Sequence, residues 1–372
     1  MSSHPSRALI SRSALSSNID LLRATTSSQL MAIVKAGAYG HGLERIARWA
    51  HDDGVTWFGV AQLTEALELR RYVPDARILT WIFTPGADLA KALSANLDLS
   101  VGSAWALAEI EAAARATGIV ARLHIKVDTG MARGGFAIAD LADAATKIAA
   151  LEAEGLVSVV GLWSHLACGD DPTSGETEYQ TAVFEEARTV VAEAGVVHEI
   201  LHLAASSGVL WHPSTHYDLV RPGIALYGVS PNLEVARAED IGLRAVMQLE
   251  ADLLTSRDVP AGAGVSYNHT YRTPAHARLA VVPLGYADGI PRLASNVANV
   301  RVNDAVCPIR GRVCMDQFVI EGVGLEAGQT AILFGDARDG LPTADDWAAL
   351  TQTIGYEIVT RIGRQVQRVD AP

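Results

Sequence analysis

The chain has 372 residues, of which 49% are hydrophobic and 19% are charged, and its formal net charge is -12. This composition can fill a sizeable core and excludes a disordered chain, and the acidic balance disfavours a nucleic-acid partner, which requires clustered lysine and arginine. The three cysteines, Cys168, Cys307 and Cys314, form neither a disulfide framework nor a paired metal spacing, which fits a reducing cytoplasm and predicts no metal site.

The N-terminal sequence MSSHPSRALISRSALSSNIDLL has no continuous apolar segment behind a basic start, so we expect no secretory signal. No apolar run along the chain approaches the roughly 18 residues of a membrane span. We therefore expect a cytoplasmic protein without a membrane partner.

Short β-type segments alternate with amphipathic helical segments over the first two-thirds of the chain. The predicted strands are 30–35, 57–60, 77–82, 97–101, 121–127, 157–162, 199–203 and 218–227. The predicted helices between them include 63–72, 104–116, 142–154 and 177–195. About eight successive βα units predict an α/β fold, a (β/α)8 TIM-type barrel over residues 1–235, with a doubly wound open sheet as the structural alternative.

The pattern changes after about residue 235, where long helical periods disappear and Gly, Pro and Asp punctuate strand-like runs. The predicted strands there are 246–256, 278–284, 299–303, 315–320 and 330–334, and one helix is predicted at 343–354. We interpret residues 236–372 as a C-terminal, mostly β domain.

Several polar residues follow the predicted barrel strands at the points where the strands end. Lys35 closes the first strand, Asp128 to Arg133 follow the fifth, His165 follows the sixth, Ser206 follows the seventh, and Arg221 belongs to the eighth. Each has an ordinary structural explanation, such as a core histidine or a turn. Because the carboxyl ends of barrel strands meet at one rim, their joint placement favours a functional site.

The residue types at this rim suit one cofactor in particular. A desolvated lysine such as Lys35 has a lowered pKa and forms Schiff bases. The backbone N–H groups of Gly223 and Ile224, the Ser206 hydroxyl and the Tyr39 phenol can together cradle a phosphate. A lysine and a phosphate cup predict pyridoxal 5′-phosphate as the cofactor.

Eight segments in order along the chain carry a resemblance to a known family. They are AIVKAGAYGHG (32–42), IKVDTGMARGGF (125–136), SHLACGD (164–170), HLAASSG (202–208), RPGIALYG (221–228), GVSY (264–267), PLGYADG (283–289) and GRVCMDQ (311–317). The chain resembles alanine racemase, a barrel-fold pyridoxal phosphate enzyme, over nearly its whole length.

The resemblance implies two catalytic bases, one on each face of the substrate carbon. Lys35 matches the lysine that carries the cofactor as an internal aldimine, and Tyr267 matches the base on the opposite face. In the family, Tyr267, Tyr286 and Met315 would come from the other subunit of a head-to-tail homodimer. His165 and Arg221 resemble the groups that supply positive charge near Tyr267.

The resemblance also implies the residues that hold the cofactor. The matching positions are Lys35, Tyr39, His165, Ser206, Arg221, Gly223, Ile224 and Tyr356. Five of them, Tyr39, Ser206, Gly223, Ile224 and Tyr356, match phosphate contacts, and Arg221 matches the arginine that faces the ring nitrogen. Because arginine retains its proton, we expect that nitrogen to stay unprotonated, which restrains side reactions.

Further residues match positions that bind the substrate or support the site. Arg133 and the Met315 backbone N–H match the groups that hold the substrate carboxylate. Lys126, often carbamylated in the family, braces Arg133, and His202 lies behind the site. Asp316 resembles an acid near Tyr286 in the substrate corridor.

Two positions depart from the family pattern. Gly37 stands where Asp or Asn is common, which puts the rigidity of the cofactor loop in question. Ala205 stands where an Asn beside the cofactor is usual, so a hydrogen bond to the cofactor's phenolic oxygen is expected to be missing.

The resemblance predicts an isomerase that interconverts L- and D-alanine and supplies D-alanine for peptidoglycan. One alternative is a racemase of serine or of broad specificity. A non-catalytic pyridoxal phosphate-binding barrel is another, although it would not need the β domain, Tyr267 or GRVCMDQ. A related decarboxylase of basic amino acids would show acidic substrate-binding loops and other motifs, which the sequence lacks.

Overall fold

The computed structural model describes residues 5–371. They divide into two compact units that interleave along the chain. The barrel unit consists of Ile19–Ala38 and Leu43–Leu226. The β-rich unit takes the N-terminal residues up to Asn18, the short segment 39–42 and the residues from Tyr227 onwards. The first elements along the chain are strand β1 (Ser6–Ile10) and helix α1 (Arg12–Thr25).

The barrel unit contains eight parallel strands, of which the first seven pair successively in chain order and the eighth pairs with the first. They are β2 (Gln29–Ile33), β3 (Trp57–Gln62), β4 (Arg77–Ile82), β5 (Asp98–Val101), β6 (Ala121–Lys126), β7 (Val157–Trp163), β8 (Ile200–His202) and β9 (Leu219–Val220). A bridge between Ala205 and Arg221 joins the ends of β8 and β9. The predicted (β/α)8 barrel is confirmed, and the open sheet is excluded.

The helical segments of the barrel unit follow its strands. They are α2 (Lys35–Tyr39), α3 (Leu43–Asp52), α4 (Leu63–Tyr72), α5 (Leu89–Ser94), α6 (Ala104–Thr117), α7 (Ile138–Ala153), α8 (Glu176–Glu193) and α9 (Ser206–Trp211). The four predicted helices match α4, α6, α7 and α8. Helix α7 shows why: Leu141, Ala145 and Ile148 are buried at helical spacing.

The predicted eighth strand, 218–227, was wrong in length. Only β9 is a strand, and residues Ile224–Tyr227 form a 3-10 turn. Pro222 has no backbone N–H to donate to a ladder, so the strand stops before it. This early stop leaves the backbone of the following glycine and turn at the carboxyl rim of the barrel.

The β-rich unit contains β1 and ten further strands. They are β10 (Met247–Asp252), β11 (Thr255–Val259), β12 (Gly264–Val265), β13 (Tyr271–Arg272), β14 (Ala277–Val282), β15 (Asn299–Val302), β16 (Ala305–Pro308), β17 (Phe318–Glu321), β18 (Thr330–Phe334) and β19 (Gln367–Asp370). Its helices are α10 (Ala238–Ile241), α11 (Ala344–Leu350) and α12 (Gly355–Thr360). A six-stranded sheet has the order β16-β15-β18-β10-β1-β19, and a three-stranded sheet the order β11-β14-β17. The predicted mostly β character of this region is confirmed.

Strand β1 was missed by the sequence reading. It pairs antiparallel with β10 and parallel with β19, and Ala8 and Ile10 are fully buried. Two predicted elements have other bounds in the structure. The run 246–256 forms β10 and β11, and the predicted helix 343–354 corresponds to α11, after which α12 begins at Gly355.

Two further features concern only residues 5–371. Within that range, no helix combines the length and the apolar character needed to cross a bilayer. The same part of the chain holds no group of three His, Cys, Asp or Glu side chains placed to bind a metal ion.

Candidate active site

Basic residues collect at the carboxyl ends of the barrel strands. Lys35 lies two residues after β2, Lys126 is the last residue of β6, and His165 lies two residues after β7. Arg221 directly follows β9, and Arg133 lies in the loop after β6. The structure therefore places all five of these sequence-predicted residues on one rim, as the barrel fold requires.

The positive charges at this rim act on one another. Burial lowers the pKa of Lys35, the charge of Arg133 lowers it further, and Glu65 partly opposes the shift. Burial also lowers the pKa of Lys126, and Arg133 and Arg221 add to the effect. Like charges in a partly desolvated place favour neutral amines and attract anions. The rim thus suits an anionic ligand and a nucleophilic lysine.

Arg221 is the most constrained of these side chains. Its Nη2 donates to the carbonyl oxygens of Ser164 at 2.7 Å and Leu203 at 3.0 Å, and faces His165 Nδ1 at 3.4 Å. Its Nη1 faces His202 Nδ1 at 3.2 Å. Burial lowers the pKa of Arg221 to about 9. The guanidinium therefore remains charged at neutral pH and is fixed in orientation.

His165 is held neutral by the same surroundings. Burial lowers the pKa of the imidazole well below its usual value, and the charges of Arg221 and Arg133 lower it further. A neutral imidazole beside a charged arginine accepts a hydrogen bond on one nitrogen and donates from the other.

A small cup of backbone donors surrounds the Ser206 hydroxyl. Ser206 Oγ accepts the N–H groups of Gly223 at 2.9 Å and Ala225 at 3.2 Å. A serine oxygen has two lone pairs and one proton, so these two bonds leave the proton to be donated. Ile224 begins the 3-10 turn next to this serine. A hydroxyl that two N–H groups hold in place and that keeps its own proton suits a phosphate oxygen.

The segment after Lys35 is a left-handed turn. Ala36, Gly37, Ala38 and Tyr39 have φ values of 55°, 62°, 57° and 51°. Each residue other than glycine in this conformation costs roughly 1–2 kcal/mol. The Gly37 N–H donates to Glu65 Oε1 at 3.3 Å, which braces the turn from α4.

The left-handed turn explains the first departure from the family pattern. Gly37 has φ 62°, and a Cβ there would meet no atom within 4 Å. Glycine adopts this conformation at the lowest cost, and Asn and Asp are the other residues that tolerate it. The left-handed shape of the turn is therefore compatible with glycine at this position.

Ala205 has a structural role besides the bridge to Arg221. It is the N-cap residue of α9, and no side chain caps that helix end. Asn is among the best N-cap residues, and alanine among the poorest. Ala205 therefore provides no side-chain cap for α9, whereas an Asn side chain is able to cap a helix.

The loop that carries Arg133 is folded by one carboxylate. Asp128 Oδ1 accepts N–H groups from Gly130 at 3.0 Å, Met131 at 3.0 Å and Ala132 at 3.1 Å. Burial would raise the pKa of Asp128, but these three bonds outweigh it and lower the pKa. The motif DTGMAR is thus a structured turn that fixes the start of the Arg133 side chain.

Two tyrosines predicted to contact the phosphate, Tyr39 and Tyr356, lie within the β-rich unit. The rings of Tyr39 and Tyr356 have centroids 6.4 Å apart, and Tyr39 also packs on Tyr227 at 4.9 Å. Burial raises the pKa of Tyr39, so its phenol stays protonated and can donate to an anion.

The remaining predicted residues of the β-rich unit lie on its loops. Tyr286 donates its N–H to the Cys314 carbonyl at 3.0 Å, which places its turn against the loop of Met315 and Asp316. Ser266, directly before Tyr267, donates to the Arg312 carbonyl at 2.6 Å. The side chains of Tyr267, Tyr286 and Met315 are 68%, 45% and 53% exposed.

The sequence reading missed two buried polar residues near the predicted set, Asp98 on β5 and His124 on β6. Both are fully buried, and His124 Nδ1 lies 2.8 Å from His202 Nε2. The available signal was their polarity inside predicted core strands, since buried charges need partners.

Comparison with known families covers almost the whole chain. A family model described as "Alanine racemase, N-terminal domain" matches residues 10–231, and one described as "Alanine racemase, C-terminal domain" matches residues 246–370. An alanine racemase of Beutenbergia cavernae is 52% identical over 373 residues, which covers 98% of this chain and 98% of that protein. The match to both models extends beyond what a single-barrel protein would give.

Solved structures agree with these sequence matches. The alanine racemase of D-cycloserine-producing Streptomyces lavendulae superimposes with a TM-score of 0.98 at 45% identity, covering 100% of this chain and 98% of that one. The alanine racemase of Bartonella henselae, solved with covalently bound pyridoxal phosphate, gives a TM-score of 0.88 at 28% identity and covers 99% of each chain.

Proposed function

Because the chain belongs to the alanine racemase family and is an isomerase of that class, we propose that it interconverts L- and D-alanine with Lys35 and Tyr267 as its two bases. The observation that carries this proposal is the rim of the barrel unit, where a lysine with a lowered pKa stands among fixed positive charges. The D-alanine formed would supply peptidoglycan.

The residues of this chain fit pyridoxal 5′-phosphate as the cofactor. The N–H groups of Gly223 and Ala225 fix the Ser206 hydroxyl, which has a proton left to donate to the phosphate. Burial raises the pKa of Tyr39, so its phenol keeps its proton, as a donor to an anion must. The Bartonella relative was solved with covalently bound pyridoxal phosphate, and we propose Lys35 as the amine that would bind this cofactor here.

When bound, pyridoxal phosphate supplies an electron sink that stabilises negative charge on the substrate α-carbon. Lys35 Nζ then takes or returns the α-proton on one face of that carbon, and Tyr267 Oη does so on the other face. Each base on one pass is the acid on the reverse pass, because the reaction runs in both directions.

In this proposal, Arg221 would donate to the ring nitrogen of the cofactor. Its charge persists at neutral pH because the pKa lies near 9. A charged donor leaves that nitrogen as an acceptor without a proton. This arrangement weakens the electron sink and limits reactions other than proton transfer.

Arg133 and the Met315 N–H hold the substrate carboxylate. Asp128 fixes the loop of Arg133 through three backbone bonds. Lys126 lies near enough to Arg133 for their charges to oppose each other, and the pKa of Lys126 is lowered. A carbamate on that amine would turn this repulsion into attraction, and we include it in the proposal.

We propose that the active unit is a homodimer in which each chain completes the other's site. Tyr267, Tyr286 and Met315 are largely exposed in the chain described here. Exposed aromatic residues of this size are enriched at protein interfaces. A second copy would bury them and bring Tyr267 to the barrel rim of its partner.

Chiral chromatography tests the proposed reaction. The purified, pyridoxal phosphate-loaded protein is incubated with L-alanine, beside a Tyr267→Phe variant. We expect D-alanine from the wild type and far less from the variant. Absence of D-alanine with cofactor bound would overturn the alanine assignment, and a parallel incubation with L-serine shows whether a broader racemase remains.

A further inference from the structure

A hydrogen-bonded series of buried side chains runs from Arg221 across the interior of the barrel unit. Arg221 Nη1 lies 3.2 Å from His202 Nδ1, and His202 Nε2 lies 2.8 Å from His124 Nδ1. His124 Nε2 then lies 3.3 Å from Asp98 Oδ2. Strands β5, β6 and β8 supply the carboxylate and the two imidazoles, and Arg221 directly follows β9.

The two end residues of this series, Arg221 and Asp98, differ in their hydrogen-bonding capacity. Arginine only donates hydrogen bonds, and an ionised carboxylate only accepts them. His202 Nδ1 must therefore be without a proton, so its Nε2 carries one and donates to His124. His124 in turn accepts on Nδ1 and donates from Nε2 to Asp98. Only one arrangement of protons satisfies every hydrogen bond of this series.

Charge and burial keep the arrangement in place. Burial would raise the pKa of Asp98, but the hydrogen bond from His124 and the charges of Arg77 and Arg122 lower it to about 2. Arg122 Nε contacts Asp98 Oδ1 at 2.5 Å, and Arg77 Nη2 contacts Oδ2 at 2.9 Å. Burial is the main cause of a lowered pKa in both histidines, so both are neutral at pH 7.

The packing around the hydrogen-bonded series leaves space for both imidazoles and excludes water. A Cβ at Gly161 would lie 2.7 Å from His124 Nδ1 and 3.2 Å from His202 Nε2, so glycine is needed where the two rings meet. Trp163 stacks on His202 with centroids 5.5 Å apart and planes 5° apart. The register of β6 against β7 also shifts at His124.

We propose that Asp98 and His124 are positioning residues that keep His202 Nδ1 an acceptor and thereby hold Arg221 in place. This inference rests on the proposed function for its consequence, which is a fixed, charged donor toward the cofactor. The connection to Arg221 also explains why the carboxylate of Asp98 is buried in the barrel, although Asp98 is distant in sequence from the residues predicted to bind ligand. Neither Asp98 nor His124 would contact substrate.

Nitrogen-15 NMR of the histidine rings in the apoprotein tests the proton arrangement without any reaction. We expect His124 and His202 each to show a bare Nδ1 and a protonated Nε2 at pH 7. His124→Gln and His202→Gln assign the signals, and exposed His276 serves as an ordinary reference. A proton on Nδ1 of either ring, or on both nitrogens, would overturn the proposal.

Asp98→Asn tests the consequence, because an amide both donates and accepts. We expect a second tautomer of His202 and, in the loaded enzyme, a kcat about 10-fold lower with KM for L-alanine within about twofold. The matched control is Glu111→Gln, which removes a carboxylate that contacts Arg115 and Lys147 at 2.9 Å each. The control should change neither the His202 signals nor kcat.

Two results separate this inference from the proposed function. An unchanged His202 spectrum and an unchanged kcat in Asp98→Asn would refute the positioning role while racemisation stands. A wild type that makes no D-alanine refutes the function and leaves the NMR result valid. Gly161→Ala, which crowds both imidazoles, should disturb the same signals, and the wild-type spectrum is decisive even if a variant does not fold.

Discussion

The two units present their predicted site residues in opposite ways. In the barrel unit, Arg221 is buried and tied to two carbonyls and two imidazoles. In the β-rich unit, Tyr267 is 68% exposed and Met315 is 53% exposed. One half of the candidate site is fixed within a single chain, whereas the other half faces outwards.

This difference in exposure indicates which functional groups a single polypeptide holds in position by itself. The barrel unit orients donors before any ligand arrives, and such preorganisation gives catalytic sites much of their effect. The exposed residues lack this enclosure, and a base such as Tyr267 needs desolvation and nearby cations to work near neutral pH. We therefore expect these residues to function only when a second copy covers them.

The largest expected effect follows from removing the exposed base. Tyr267→Phe should lower D-alanine formation by about 10²–10⁴-fold, the usual contribution of a general acid–base residue. The loaded variant should still exchange the α-proton of one enantiomer with solvent, because Lys35 remains. Proton NMR of each alanine enantiomer in D₂O measures this exchange, and equal loss for both enantiomers would count against separate bases.

A mixture of two inactive variants tests whether the units cooperate between chains. Lys35→Ala and Tyr267→Phe should each be nearly inactive alone. If Tyr267 acts in the partner's site, random reassociation yields half heterodimers with one intact site each, so about one quarter of wild-type activity returns. Activity is measured after co-refolding or slow exchange. No recovery, with heterodimers shown by mass spectrometry, would place both bases in one chain.

A smaller effect is expected at the arginine that the Asp128 loop presents. Arg133→Ala removes a charge-assisted contact to the substrate carboxylate, worth about 1.5–3 kcal/mol, so KM for alanine should rise about 10- to 100-fold. Steady-state kinetics in both directions measure it. Arg115→Ala, on the surface of α6, is the matched control and should leave KM unchanged.

Much of the barrel was predictable from the sequence because its signals are local. Helix α7 repeats buried residues at helical spacing, and most strands are short apolar runs between turn signals. The rim positions of Lys35 and His165 could be predicted because the carboxyl ends of parallel barrel strands all lie at one rim. The resemblance of eight motifs then supplied roles that composition cannot give.

The rest depended on contacts distant in sequence. Strand β1 lies between β10 and β19, and no local pattern in residues 6–10 indicates partners more than 200 residues away. The left-handed turn after Lys35 needs four successive positive φ values, two of them at alanine, which propensity alone opposes. The Asp98–His124–His202 chain likewise exists only once β5, β6 and β8 lie side by side.

The smallest expected effect is on the pH dependence of stability. It follows from a comparison of two buried carboxylates, one in each unit. Asp98 is surrounded by cations, which hold its pKa at about 2. Asp345 is buried in the β-rich unit, and burial raises its pKa to about 6 despite an N–H bond from Ser230 at 3.2 Å. Its proton is therefore bound more tightly in the folded state than in the unfolded chain.

Asp345 should thus make stability depend on pH in the direction opposite to Asp98. The contribution of Asp345 is full below its unfolded pKa of about 3.9 and is lost as the pH rises to about 6. Asp345→Asn should remove this dependence and raise the free energy of unfolding by about 1 kcal/mol at pH 8, with little gain at pH 4. Urea unfolding at both pH values measures it. A variant less stable than wild type at pH 8 would show that the ionised carboxylate contributes more through Ser230 than its burial costs.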